Sequence, residues 1–179
     1  MQVRILTFVT NFDGAGPGHS AVAVDNTVYT FEDVANGWLQ RGSGWKTLDY
    51  NTYLQANTHR PVLAQTITQS TSQLITDYVN KSIKNDDDYI GSGVCSTQVS
   101  KAVNYSLPKG IDFDPKGFDT PFGVYWCARR LGIVSSEDYV WADRKKLTVL
   151  TWAGIVNKLA SDYPDALKGL KAKGQLEKY

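Results

Sequence analysis

Two side chains of the sequence have the chemistry of a nucleophile and its base, the thiol of Cys95 and the imidazole of His19. Cys95 follows the glycine- and serine-rich residues 91–94 and opens a segment whose apolar residues recur at helical spacing: Cys95, Val99, Ala102 and Val103. This spacing predicts that Cys95 begins an amphipathic helix. The positive end of a helix dipole favours the thiolate, which is the nucleophilic form of cysteine.

The base that would accept the thiol proton must be one of two histidines. His19 is predicted to open a β-strand directly after the glycine-rich residues 14–18, a position that holds a side chain rigidly and leaves it accessible. His59 lies in a polar stretch before Pro61 and is interpreted as an exposed surface residue. Cys95 and His19 are therefore the predicted catalytic pair.

A third polar group is needed to orient an imidazole base. Thr30 and Glu32 share one face of the strand predicted to pair with that of His19, and Asp13 precedes the glycine-rich loop. Glu32 is the better electrostatic partner, because a nearby carboxylate raises the pKa of an imidazole. Thr30 is the better positional match. Both are retained as candidate catalytic residues, with Asp13 as a further alternative.

Both cysteines also fit structural roles. Free cysteine is often a small buried hydrophobic residue, so Cys95 can equally be a core residue. Cys127 lies within the aromatic segment 125–127 and is predicted to be part of the core. A Cys95–Cys127 disulfide is another alternative, whereas two cysteines are too few for a disulfide framework.

Strands and helices would position these residues. Alternating or β-branched runs predict strands near residues 3–8, 19–24, 27–32 and 61–67, with a hairpin turn at residues 25–26. Residues 33–60 are polar and are predicted to form a loop or an irregular insertion. Besides the Cys95 helix, helices are predicted after a Ser70 or Ser72 cap, after Thr120-Pro121, around residues 152–163 and at 165–173.

Trp38 and Trp45 flank a stretch that contains two glycines, and they fit two different roles. They could line a groove that binds substrate, or they could fill a small hydrophobic cluster. Ser96, next to the candidate nucleophile, is a further candidate substrate-binding residue.

Length and composition limit the classes of function. The chain has 179 residues, of which 42% are hydrophobic, and a net charge of +1. It is interpreted as a single domain, residues 1–179, without a general electrostatic attraction for nucleic acid or anionic membranes. No apolar run reaches the roughly 18 residues of a membrane-spanning helix, and the N-terminus lacks the features of a signal peptide.

Motifs for metals and cofactors are missing from the sequence. It contains no HExxH or CxxC motif and no histidine cluster. The glycine-rich residues 14–18 match neither a dinucleotide-binding fingerprint nor a phosphate-binding loop. The sequence therefore predicts neither a metal nor a cofactor.

Two segments taken together resemble the circularly permuted NlpC-like hydrolases of the papain superfamily. Gly18-His19 opens a β-rich run that continues to Glu32, and Gly93-Val94-Cys95 opens the predicted helix. In that family the histidine likewise lies on an N-terminal strand and the cysteine comes later, at the start of a helix. The resemblance extends over residues 14–33 and 89–106. It departs from the family at Thr30, where relatives carry a histidine, a glutamate or an asparagine.

The resemblance implies an α+β fold of the permuted papain-like type, with the cysteine-bearing helix packed against an antiparallel sheet. It also implies acyl transfer, in which His19 deprotonates Cys95 and the thiolate attacks a carbonyl. Backbone N–H groups near Cys95 would stabilise the oxyanion, and the acyl-enzyme would then be resolved.

The substrate expected from the resemblance is a peptidoglycan peptide, cleaved at an amide bond by a cysteine peptidase or amidase. A near-neutral chain without a membrane anchor is similar to antibacterial effector toxins. Such a protein would be made in the cytoplasm and exported by a specialised secretion system into the periplasm of a target cell. Its expected partners are a carrier of that system and a cognate immunity protein, with no stable membrane insertion.

Two alternatives remain open at this point. One is a lipid or thioester acyl hydrolase or transferase of the same superfamily. The other is a non-catalytic binding or immunity module, in which Cys95 is a core residue.

Overall fold

The computed structural model describes residues 1–10, 18–32, 44–85, 94–115, 119–140 and 147–176. Within these ranges the strands are β1 (Val3–Phe8), β2 (His19–Val24), β3 (Thr27–Phe31), β4 (Trp45–Asp49), β5 (Val62–Ile67) and β6 (Val134–Val140). The helices are α1 (Tyr50–Ala56), α2 (Ser72–Lys84), α3 (Cys95–Ser106), α4 (Pro121–Arg130), α5 (Val149–Asp162) and α6 (Pro164–Ala172).

The six strands form one sheet in the order β4-β3-β2-β1-β5-β6, in which every neighbouring pair is antiparallel. Phe8, the last residue of β1, pairs with His19 on one side and with Val62 on the other. The ends of β1 and β3 and the starts of β2 and β5 therefore lie at one end of the sheet, which we name the His19 end. The expected α+β class with an antiparallel sheet is confirmed.

The two faces of the sheet are covered by different helices. Successive side chains of a strand point to opposite faces. On β2, Val22 belongs to a buried cluster with Val99 of α3, whereas Ala21 belongs to another with Tyr53 of α1. We name these the α3 face and the α1 face. By alternation, Ser20 lies on the α3 face, and His19 lies on the α1 face.

Several predicted elements are confirmed with their local causes. The hairpin between β2 and β3 turns at Asp25, whose φ of 49° is a left-handed conformation that aspartate tolerates better than most residues. Helix α3 begins at Cys95, as its spacing predicts. Helix α4 begins at Pro121 after Thr120, whose hydroxyl accepts a backbone N–H hydrogen bond of 3.0 Å.

Two predictions about elements are wrong, and one strand was not predicted. Residues 33–60 are not all irregular, because they contain β4 and α1; only Trp45 of β4 is buried, so the strand lacks the period of two. Strand β6 was not predicted, since it is a largely polar edge strand. Helix α2 is preceded by Thr71 rather than capped by Ser70 or Ser72, and Thr71 makes no side-chain cap hydrogen bond.

Candidate active site

Cys95 lies at the first position of α3, where it is 6% exposed. The preceding residue, Val94, occupies the N-cap position and has no side-chain cap hydrogen bond. The first N–H groups of an α-helix have no acceptor within the helix, and a valine cannot supply one. The start of α3 therefore presents backbone donors beside the thiol, as an oxyanion site requires.

Ser96 anchors the start of α3 to the sheet. Its hydroxyl oxygen lies 3.3 Å from that of Ser20, the second residue of β2, and 3.8 Å from the sulfur of Cys95. The side chain of Ser96 is fully buried, so it holds the helix rather than facing a ligand. Because Ser20 is the neighbour of His19 in the chain, the contact places Cys95 at the His19 end.

His19 is held by a hydrogen-bonded network on the α1 face. Its Nε2 atom lies 2.7 Å from Oγ1 of Thr30, which in turn donates to Oε1 of Glu32 at 3.0 Å. Glu32 Oε1 itself lies 3.8 Å from His19 Nε2. The structure thus brings together the predicted residues His19, Thr30 and Glu32, with Thr30 in direct contact with the imidazole and Glu32 behind it.

Two further residues complete the network, and sequence analysis missed both. The hydroxyl of Tyr53 donates to Glu32 Oε1 at 3.0 Å and lies 3.0 Å from Thr30 Oγ1. The ammonium of Lys46 donates to Glu32 Oε2 at 3.2 Å. Lys46 lies opposite Thr30 in the pairing of β3 with β4. This pairing would have placed Lys46 near Glu32, but β4 was not predicted from the sequence. Tyr53 lies on α1, in the same stretch interpreted as irregular.

The charge state of Glu32 follows from these contacts. Burial raises the pKa of this carboxyl, but the hydrogen bonds from Thr30 and Tyr53, a charge on His19 and the hydrogen bond from Lys46 together lower it. The net result is a pKa below the ordinary value, so Glu32 is ionised near neutral pH.

The tautomer of His19 depends on where the hydroxyl protons of the network lie. We assign the arrangement in which Thr30 and Tyr53 each donate their single hydroxyl proton to the ionised Glu32, which can only accept. Thr30 can then only accept from His19, so Nε2 carries a hydrogen. Neutral His19 therefore has its lone pair on Nδ1, the ring atom left to take up a proton.

The pKa of His19 differs from the sequence-based expectation. A neighbouring carboxylate was expected to raise it, and Glu32 does act in that direction. Burial of the ring is the larger effect, and the positive charge of Arg60 adds to it, so the pKa falls from 6.5 to about 4. His19 is therefore neutral at pH 7, and the resting site holds an uncharged base rather than an imidazolium.

A pair formed by His19 and Cys95 would meet around the end of the sheet rather than across one face. His19 belongs to the α1 face, while Ser96 binds Ser20 on the α3 face. Both residues stand at element starts, and both side chains are largely buried. The charge of Arg60 interacts electrostatically with both His19 and Cys95, so both residues lie within electrostatic range of the same guanidinium.

The remaining predicted residues have other positions. Trp45 is 6% exposed, its ring packs against Phe31 at 5.3 Å, and its N–H donates to Ser82 at 2.9 Å. Among the described residues it therefore fills a hydrophobic cluster, which is one of the two alternatives for this residue. Trp38 and Asp13 lie outside the described residues.

Neither cysteine forms a disulfide, and both are buried. Cys127 lies in the core, as predicted, and burial raises the pKa of its thiol. The Cys95–Cys127 disulfide is thus absent from this structure. His59 is half-buried rather than exposed.

The described ranges contain neither a metal-ion cluster nor a membrane-spanning helix. Their His, Cys, Asp and Glu side chains form no group of three or more that could hold a metal ion. No helix in them combines the length and apolarity needed to cross a membrane.

Comparisons with known proteins give no match. No family model, no curated protein and no solved structure is similar to this chain.

Proposed function

We propose that this protein is a cysteine hydrolase, in which Cys95 attacks an amide carbonyl and His19 acts as the base. The observation that supports it most strongly is the hydrogen bond of 2.7 Å between His19 and Thr30, backed by Glu32. This network leaves the lone pair on Nδ1 of His19, at the end of the sheet where α3 begins with a thiol. A thiol, an oriented base and free backbone donors are the parts that thiol acyl transfer requires.

The reaction follows from these groups. Nδ1 of His19 takes the thiol proton as the sulfur of Cys95 attacks the carbonyl carbon, and backbone N–H groups at the start of α3 stabilise the oxyanion. When the tetrahedral intermediate collapses, the C–N bond breaks and the imidazolium gives its proton to the leaving amine. Water then attacks the thioester, His19 takes the water proton, and the acid leaves as the thiol is re-formed.

The pKa of about 4 has two opposite consequences for His19 as a base. The ring is neutral from weakly acidic to alkaline pH and so has a free lone pair, but it is a weaker base than an ordinary imidazole, and proton transfer from the thiol must therefore be coupled to attack on the carbonyl. The imidazolium that forms in the reaction is stabilised by Glu32 through Thr30 and destabilised by Arg60 and by burial. It therefore returns its proton readily to the leaving amine.

The substrate class rests on the resemblance to permuted NlpC-like hydrolases. It makes an amide bond of a peptidoglycan peptide the leading substrate, and a toxin exported to the periplasm of a target cell the leading biological role. A cognate immunity protein and a secretion carrier are the partners that belong to this proposal.

The proposal is tested by incubating the protein with purified peptidoglycan and identifying released fragments by mass spectrometry. Cys95→Ala and His19→Ala should each abolish release while leaving the thermal unfolding transition in place. Cys127→Ser is the matched control, because it alters the other thiol and should keep activity. Equal activity in Cys95→Ala and the wild-type protein would exclude Cys95 as the nucleophile.

A second experiment does not depend on the choice of substrate. The bifunctional reagent 1,3-dibromoacetone alkylates a thiol and then bridges it to an imidazole only when the two are adjacent. Mass spectrometry of the treated protein should reveal a cross-link between Cys95 and His19 but none to His59. Alkylation of Cys95 without a bridge would count against the pair, and unreactive Cys95 would favour a non-catalytic binding module.

A further inference from the structure

Arg60 stands at the His19 end of the sheet, two residues before β5. Its guanidinium carbon lies 4.6 Å from the centre of the Phe8 ring, and that ring lies 5.6 Å from the ring of His19. The charge of Arg60 opposes protonation of His19 and attracts a negative charge on Cys95. The guanidinium therefore lies within electrostatic range of both members of the proposed catalytic pair, and it shares the Phe8 ring as a neighbour with His19.

The guanidinium is held in place, and part of it remains available. Nε and Nη2 of Arg60 both donate to Oδ1 of Asn57, at 3.2 Å and 2.7 Å. Asn57 is itself fixed, because its amide nitrogen donates to the backbone carbonyl of Tyr53 at 2.9 Å. Arg60 has five N–H donors, and none of the described residues accepts a hydrogen bond from Nη1.

No carboxylate among the described residues forms an ion pair with Arg60. Arg60 is half-buried, and burial lowers the pKa of its guanidinium. The charge of Glu32 acts on it in the opposite direction, but the Glu32 carboxylate is itself paired with Lys46 at 3.2 Å. A cation held partly out of water gains free energy when an anion binds directly beside it.

We propose that Arg60 binds a carboxylate of the substrate next to the scissile carbonyl, and so selects acyl substrates that carry a negative charge there. The inference rests on the proposed function, because it takes Cys95 as the point of attack. The planar fork of a guanidinium matches the two oxygens of a carboxylate. Neutral His19 supplies no competing positive charge at pH 7.

The test compares two alkylating reagents of nearly equal size, iodoacetate and iodoacetamide, which differ in charge. The sulfur of Cys95 displaces iodide from each reagent and forms an S–CH₂ bond, and mass spectrometry measures the rate at this residue. The rate with iodoacetate is divided by the rate with iodoacetamide. The same ratio is measured for a small neutral thiol, a cysteine amide, as the reference. We expect the protein ratio to be about 10-fold higher at pH 7 and low salt, since one well-placed charge commonly produces that factor.

Arg60→Met should return the ratio to within about twofold of the small thiol, because the attracting charge is gone. Arg4→Met is the matched control. Like Arg60, Arg4 donates two hydrogen bonds to one side-chain amide oxygen, that of Gln2. Its guanidinium lies 4.5 Å from the ring centre of Tyr50, at the opposite end of the sheet. The Arg4→Met variant loses the same charge as Arg60→Met and should keep the wild-type ratio.

The outcomes separate this inference from the proposed function. A wild-type ratio equal to that of the small thiol overturns the role of Arg60, whether Cys95 reacts fast or slowly and whether or not Arg60→Met folds. A high ratio that Arg4→Met abolishes as fully as Arg60→Met also overturns it. The absolute rate with neutral iodoacetamide addresses the proposed function instead, since an unactivated buried thiol reacts slowly with either reagent.

Discussion

The hydroxyl oxygen of Thr30 lies 2.7 Å from Nε2 of His19, so threonine is the direct partner of the imidazole. Glu32 lies farther from the same nitrogen, at 3.8 Å, but only 3.0 Å from the threonine hydroxyl. The two alternatives that the sequence left open are therefore not exclusive. Thr30 holds the orientation of the ring, and Glu32 supplies charge behind Thr30.

Thr30→Val tests the direct contact. Valine keeps the shape of threonine but removes the hydroxyl, so Nε2–H loses its acceptor and the ring loses its fixed orientation. We expect the rate of Cys95 alkylation by iodoacetamide at pH 7, and the kcat of any substrate found, to fall about 10–100-fold. Thr30→Ser keeps the hydroxyl and should retain most of the rate. Equal rates in Thr30→Val and the wild-type protein would contradict the role of Thr30.

Glu32→Gln tests the charge behind the threonine. The amide keeps the size of the side chain, and its oxygen can still accept from Thr30 and Tyr53, so we expect a smaller loss of rate than in Thr30→Val. The carboxylate raises the pKa of His19, so its removal should lower the pKa of the imidazole further. An NMR titration of the His19 ring protons in the variant measures this shift. A shift to a higher pKa would show that Glu32 does not act on His19 as a negative charge.

The sequence predicts those parts of the site that are determined by local pattern. Alternation along one hairpin placed Thr30 and Glu32 on the same face, and helical spacing placed Cys95 at the start of α3. Tyr53 and Arg60 reach the site through the packing of α1 and the pairing of β5 with β1, over sequence distances at which no local pattern operates. The direction of the His19 pKa shift was missed for the same reason, because burial depends on the whole fold.

Cys127→Ser tests the separation of the two thiols. Cys127 is fully buried among apolar side chains of the main core cluster. A serine hydroxyl costs more free energy to bury among these apolar side chains than a thiol, even with Arg130 and the backbone of Asp114 within reach. We therefore expect the free energy of unfolding to fall by about 1–3 kcal/mol, measured by urea titration. The rate of Cys95 alkylation should not change. A loss of that rate in a protein with an intact unfolding transition would mean that the two cysteines act together.

The pKa of His19 predicts a specific dependence of stability on pH. The pKa is about 4 in the folded protein and 6.5 in an unfolded chain, so between these values the unfolded state binds the extra proton. Stability therefore falls as the pH is lowered through this window, and His19 has no such effect above pH 6.5. Between pH 7.5 and pH 5 the loss from this residue should be about 2 kcal/mol.

His19→Gln isolates that contribution, because glutamine can still donate to Thr30 but does not titrate. Carboxylates with lowered pKa values, including Glu32, also destabilise the fold at low pH, but in a lower range and in both proteins. Urea titrations at the two pH values should therefore show a loss of stability about 2 kcal/mol smaller in the variant. Equal losses would mean that His19 titrates near its ordinary pKa. The resting site would then hold an imidazolium in weak acid.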